Sequence, residues 1–61
     1  MKVGDMVKMN KGYSPLGIVT KVQYWTNGKP NQPSKVPVHI LWPDGKSIET
    51  AWNLEVVNES R

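Results

Sequence analysis

Between Val36 and Thr50 an alternating β-branched run meets Pro43-Asp44-Gly45 and resumes with Ile48 and Thr50, the pattern of a β-hairpin. Pro43 has no amide hydrogen, so it cannot supply the ladder bond required of a residue flanking a two-residue Asp-Gly loop. A three-residue loop fits: Pro43 and Asp44 are central in a type I turn, and Gly45 takes the left-handed conformation of a bulge. Trp42 then faces Lys46. Counting back pairs Ile40 with Ile48, Val38 with Thr50 and His39 with Glu49, which puts apolar residues on one face and polar residues on the other.

The same alternation predicts the other elements. Val3, Val7 and Met9 alternate with Lys2, Asp5 and Lys8 around Gly4-Asp5, as in a first strand entered by a turn. Residues 10–17 are rich in turn formers and form an ordered loop. Ile18 to Trp25 is a second strand; Ile18, Thr20 and Val22 make one alternating set and Val19 and Lys21 the other, so burying both Ile18 and Val19 needs a bulge or a twisted strand. Thr26 to Lys35 holds Asn27-Gly28, Pro30 and Pro33 and no apolar residue, the composition of a mobile loop or hairpin tip. Ala51-Trp52-Asn53 is too short for an α-helix and reads as a 3₁₀ turn leading into Leu54-Glu55-Val56-Val57 as a closing strand. Residues 58–61 read as a frayed tail. The fold class is all-β: one five-stranded closed barrel with a short 3₁₀ turn before its last strand.

At 61 residues the chain makes one domain that buries only about 60% of its unfolded surface, so a partner or self-association would add stability. It has no cysteine, which removes disulfides and thiolate metal sites and favours an intracellular or particle-bound setting. No apolar run approaches the roughly 20 residues of a membrane span, and Met1-Lys2 is not followed by a signal-peptide core, so a cytoplasmic chain away from membranes is expected. The net charge of +3 comes from Lys2, Lys8, Lys11, Lys21, Lys29, Lys35, Lys46 and Arg61, which are spread and not clustered. Such a dispersion serves anionic partners or solubility, and the scarcity of Arg argues against base reading.

Gly4-Asp5-x-Val7, Gly17-Ile18-Val19-Thr20-Lys21-Val22, Val38-x-Ile40-x-Trp42-x-Asp44-Gly45 and Leu54-Glu55-Val56-Val57 resemble, in that order, the strand signatures of SH3-like barrels. The resemblance spans residues 3–57. It is closest to small proteins of tailed bacteriophages and more distant to Tudor-like and Mind-bomb-type repeats. It implies a binding module, in a virion or a host cytoplasm, and leaves the ligand open among peptides, methylated side chains and nucleic acids. The plasmid-borne trimethoprim-resistant dihydrofolate reductase, an SH3-like barrel that works as a tetramer, has a similar ending. Its Val-Gln-Ile-Tyr motif falls here on Lys46, Ser47, Ile48 and Glu49, so only the Ile is kept and a carboxylate stands in place of the Tyr.

Catalytic and metal chemistry find no constellation. His39 is the single histidine and faces Glu49 on the outer hairpin face; Asp5 and Asp44 lie in turns, and the carboxylates of Asp5, Asp44, Glu49, Glu55 and Glu59 are not paired. The sequon Asn58-Glu59-Ser60 has no meaning in an intracellular chain. No enzyme activity, cofactor or metal is expected.

The aromatics hold the functional content: Tyr13, Tyr24, Trp25, Trp42 and Trp52. Neighbouring Tyr24 and Trp25 on a strand point to opposite faces, so one of them is exposed. In the purely structural reading Trp42 and Trp52 plug the barrel ends. In the functional reading Tyr13, Tyr24 and Trp25, edged by Lys21 and Lys29, form a shallow platform for protein contact or base stacking. Trp42 with Asp44 supplies a fragment of an aromatic cage. The expectation is a protein-binding module for assembly or host-factor capture, with self-association covering Trp25; the alternative is weak, sequence-tolerant nucleic-acid binding.

Overall fold

A computed structural model describes residues 1–57. The expected frayed tail and the Asn58-Glu59-Ser60 sequon lie outside the described residues. Seven strands follow in order: β1 (Met6–Met9), β2 (Gly17–Val22), β3 (Trp25–Thr26), β4 (Lys29–Pro30), β5 (Pro37–Trp42), β6 (Gly45–Thr50) and β7 (Leu54–Val56). Two 3₁₀ turns, Pro33–Lys35 and Ala51–Asn53, punctuate them. Five strands form one antiparallel sheet in the order β6-β5-β2-β1-β7, while β3 and β4 make a separate ribbon. Among the described residues the ladder has two edges, β6 and β7, and no hydrogen-bonded pairing joins them.

The first strand is entered as the sequence predicts. Gly4 adopts φ +96° in a turn closed by the Asp5 amide donating to the Lys2 carbonyl at 3.1 Å. The Lys2 amide donates to the Asp5 carboxylate at 3.0 Å and the Lys2 ammonium lies 3.4 Å from it. That backbone hydrogen bond, with the nearby positive charge, holds the Asp5 carboxyl below its ordinary value of 3.8. Val3 lies outside, ahead of β1, and is exposed.

The core is small and aliphatic. Val7, Val19, Val36, Val38, Ile40 and Leu54 are buried, with Met9, Val22, Trp42 and Ala51 packed against them. The pairing of β2 with β5 slips between Val19 and Lys21, leaving Thr20 as the extra residue of a bulge. Because of that insertion Val19 and Val22, three apart, sit opposite Ile40 and Val38 on the inner face. Lys21 turns outward opposite His39, and the Thr20 hydroxyl donates to the His39 carbonyl at 3.3 Å. The anticipated bulge exists, yet it does not bury Ile18. That side chain stands on the outer face opposite Leu41.

The hairpin forms, but with a register one residue away from the expected one. The loop holds two residues, Pro43 and Asp44, flanked by the pair Trp42 and Gly45; Leu41 faces Lys46, Ile40 faces Ser47, His39 faces Ile48 and Val38 faces Glu49. Pro43 occupies the first central position of the turn, where its fixed φ is favourable and no ladder amide is needed. Gly45 takes φ +146°, a conformation that side chains resist. The register also satisfies the Trp42 indole, whose Nε1 donates to Ser47 Oγ at 2.7 Å, and Ser47 Oγ in turn donates to Glu49 Oε2 at 3.4 Å. Ile48 therefore points outward.

Gly17 makes that packing possible. A Cβ added there would stand 2.6 Å from Ile40 Cγ2 and 2.7 Å from Trp42 Cε3, so the indole and the core isoleucine rest directly on bare backbone. The 3₁₀ turn before the last strand is present as expected, but Trp52 plugs nothing: the residue is 69% exposed, and the turn is tied down through backbone, with Asn10 Nδ2 donating to the Trp52 carbonyl at 2.9 Å. The expected loop at 26–35 instead holds most of a tight hairpin, Trp25 to Pro30, followed by the 3₁₀ turn Pro33–Lys35. Asn27 (φ 54°) and Gly28 (φ 78°) form the loop between β3 and β4, the signature of a type I′ turn.

Candidate functional site

The rings expected to share a platform are distributed over the molecule. Tyr13 is almost fully exposed in the loop before β2, and Tyr24 and Trp25 follow β2. The six residues of β2, roughly 20 Å of strand at about 3.3 Å per residue, lie between Tyr13 and the other two rings in the chain. Tyr24 is half exposed and its hydroxyl donates to the Met1 carbonyl at 3.2 Å. It borders an apolar cleft of about 190 Å³ whose walls include Met1, Val22, Val36 and Val38.

Trp25, 61% exposed, lies opposite Pro30 on one face of the β3–β4 ribbon, while Lys29 lies opposite Thr26 on the other. Lysine and indole are thus separated by the ribbon itself. A two-stranded ribbon is marginal alone, and this one is held by Asn31. Its amide donates to the Tyr24 carbonyl at 2.8 Å, and its Nδ2 reaches the Gln23 carbonyl and Thr26 Oγ1, both at 2.9 Å.

Trp42 is half-buried against the core, one face over Gly17. With Asp44 and Glu49 it lines a shallow cleft of about 210 Å³ together with Met9, Ser14 and Pro15. Trp42 is the one ring there, so a cage for a methylated cation has a single wall. Among the described residues no three His, Cys, Asp or Glu side chains stand together.

A further coherent feature, not foreseen from the sequence, lies on the sheet. On the outer face of the sheet, two rows cross β2, β5 and β6: Ile18, Leu41 and Lys46 form one, and Lys21, His39 and Ile48 the other. Ile18, Leu41 and Ile48 are 46%, 48% and 59% exposed and make a diagonal apolar stripe across three strands. Lys46 and Lys21 occupy the opposite corners, one on each side of it. Thr20, Lys21, His39, Lys46 and Ile48, with Ile40 and Ser47 of the same strands, line a depression of about 580 Å³. The bulge at Thr20 and the two-residue loop at Pro43-Asp44 together create the arrangement, because each sets the parity of its strand. Of the residues singled out beforehand only Lys21 belongs to it.

Three exposed aliphatics side by side on a rigid sheet can bury area against a partner and offer no nucleophile, acid–base pair or metal ligand set. No family model, no curated protein and no solved structure matches the chain.

Proposed function

We propose that the chain is a non-enzymatic protein-binding module on an SH3-like barrel framework, and that its contact surface is the outer face of β2, β5 and β6. The observation that carries this reading is the stripe of Ile18, Leu41 and Ile48, exposed together in a protein whose buried core, among the described residues, is six aliphatic side chains. Leaving as much aliphatic side chain outside as this is costly for a domain so short of buried surface, unless a partner covers it. The SH3-like reading is supported by β7 returning, through its 3₁₀ turn, to pair with β1, so that closure needs only β6 to curl toward β7. The setting we propose, from the resemblance to small proteins of tailed bacteriophages, is virion assembly or capture of a host factor. Nucleic-acid binding by stacking is less favoured, because Lys29 and Trp25 point to opposite faces of their ribbon and the outer stripe carries no ring.

Selection of displayed 12-residue peptides on the immobilised chain tests this. Enriched peptides are expected to bind the native chain at least about tenfold more tightly than an Ile18→Ser/Leu41→Ser/Ile48→Ser variant, since partial burial of three aliphatic side chains is worth that much or more. Recovery of peptides indifferent to the triple substitution would contradict the reading.

A further inference from the structure

The outer face also states what kind of partner it takes. We infer that it binds an amphipathic helix whose apolar stripe is flanked by acidic residues; this rests on the protein-binding reading and adds the partner's chemistry. Three strands at about 4.8 Å spacing span about 10 Å, the length of about two turns of an α-helix laid across them. An apolar helical stripe laid along the Ile18–Leu41–Ile48 diagonal leaves Lys46 beyond one side of the helix and Lys21 beyond the other. His39 lies between Lys21 and Ile48, and among the described residues no acidic side chain borders the depression. Carboxylates on both flanks of the incoming stripe meet a lysine on each side.

The same corners argue against a second copy of this chain as the occupant. A two-fold arrangement that lays one stripe upon another sets lysine opposite lysine, and among the described residues no carboxylate lines the depression to relieve it; Glu55, on the same side of the sheet, stands opposite Lys8 at the β1–β7 edge. Phosphate would satisfy the lysines and leave three aliphatic side chains against a polar backbone.

The probe is a capped 15-residue peptide with leucines at helical i, i+3, i+4 and i+7 spacing and glutamates on both flanks, titrated into isotopically labelled protein alongside a twin carrying lysine for every glutamate. The glutamate peptide is expected to move the amide signals of Ile18, Lys21, Leu41, Lys46 and Ile48. Its affinity should fall about tenfold in Lys21→Glu/Lys46→Glu, in line with two exposed charge pairs turned repulsive, and should weaken with added salt. The twin should bind about tenfold more weakly to the native face and recover on the double variant. Equal binding of both peptides at this face would overturn the acidic preference and leave the protein-binding reading standing. Silence of these five amides toward both peptides would overturn the two together. A single-stranded oligonucleotide that moves the same amides more strongly than the glutamate peptide would assign the face to nucleic acid, and equilibrium sedimentation showing a dimer lost in Ile48→Ser would assign it to a second copy.

Discussion

Replacing Gly17 by alanine is expected to lower stability by about 2 kcal/mol, because overpacking a filled site costs about 1–3 kcal/mol. The added methyl would enter at 2.6 Å from Ile40 Cγ2 and 2.7 Å from Trp42 Cε3. Neither neighbour is free to withdraw. Ile40 is buried in the core, and the indole is pinned by its hydrogen bond to Ser47. Gly17 does not occupy the positive-φ region, so the loss is steric in origin, and the lower entropy of the unfolded alanine chain offsets only about 0.4–1 kcal/mol of a larger clash. In a domain of this size the melting temperature should fall by roughly 8–16 °C. A thermal unfolding curve that coincides with the parent's would show that the indole does not rest on this strand.

The second large effect separates two isoleucines that the sequence treats alike. Ile40→Ala is expected to cost about 3 kcal/mol, the usual range for emptying a buried aliphatic site being about 2–5 kcal/mol. Ile48→Ala should stay within about 0.5 kcal/mol, as for other surface substitutions. Ile40 is 1% exposed and faces Ser47, whereas Ile48 is 59% exposed and faces His39. Urea midpoints of the two variants check this directly. Equal losses would mean that both side chains share the interior.

Much of the fold is legible in the residues themselves. The positions of β1, β2, β5, β6 and β7, the turn at Gly4, the hairpin around Pro43-Asp44 and the 3₁₀ turn at Ala51–Asn53 follow from alternation and turn chemistry, whereas the end of β2 at Val22, short of the expected Trp25, and the β3–β4 ribbon do not. Register does not. Pro43 excludes an Asp-Gly loop but is equally at home in the centre of a Pro-Asp loop, and a one-residue slip exchanges the faces of β6. The intuition that isoleucine must face isoleucine then selects the wrong slip. It fails because β6 is an edge strand whose inward positions are only half-covered, so Ser47 and Glu49 can sit there, one of them satisfying the Trp42 indole.

The candidate surface was hidden for the same reason. Ile18, Leu41 and Ile48 become neighbours only through the Thr20 bulge and the slipped loop, and neither feature has a unique sequence signature. For the aromatics, alternation says that a ring is outside but not which rings meet: Tyr13 lies before β2 and Tyr24 after it, at opposite ends of a six-residue strand. Trp52 shows the limit of size as an argument for burial. Its turn is secured by backbone hydrogen bonds, which leave the indole without an interior place.

The outer surface depends on the hairpin register, which alone turns Ile48 outward beside Leu41. Pro37 has no amide hydrogen, so its pair with Thr50 is not a mutually hydrogen-bonded one, and by alternation neither are His39 with Ile48 nor Leu41 with Lys46. In such pairs the Cα atoms approach to about 4.5 Å, which brings the two α-protons into close contact. Nuclear Overhauser spectra should therefore show strong α-proton contacts from His39 to Ile48 and from Leu41 to Lys46. Contacts from Ile40 to Ile48, or from His39 to Glu49, would contradict the account and return Ile48 to the interior.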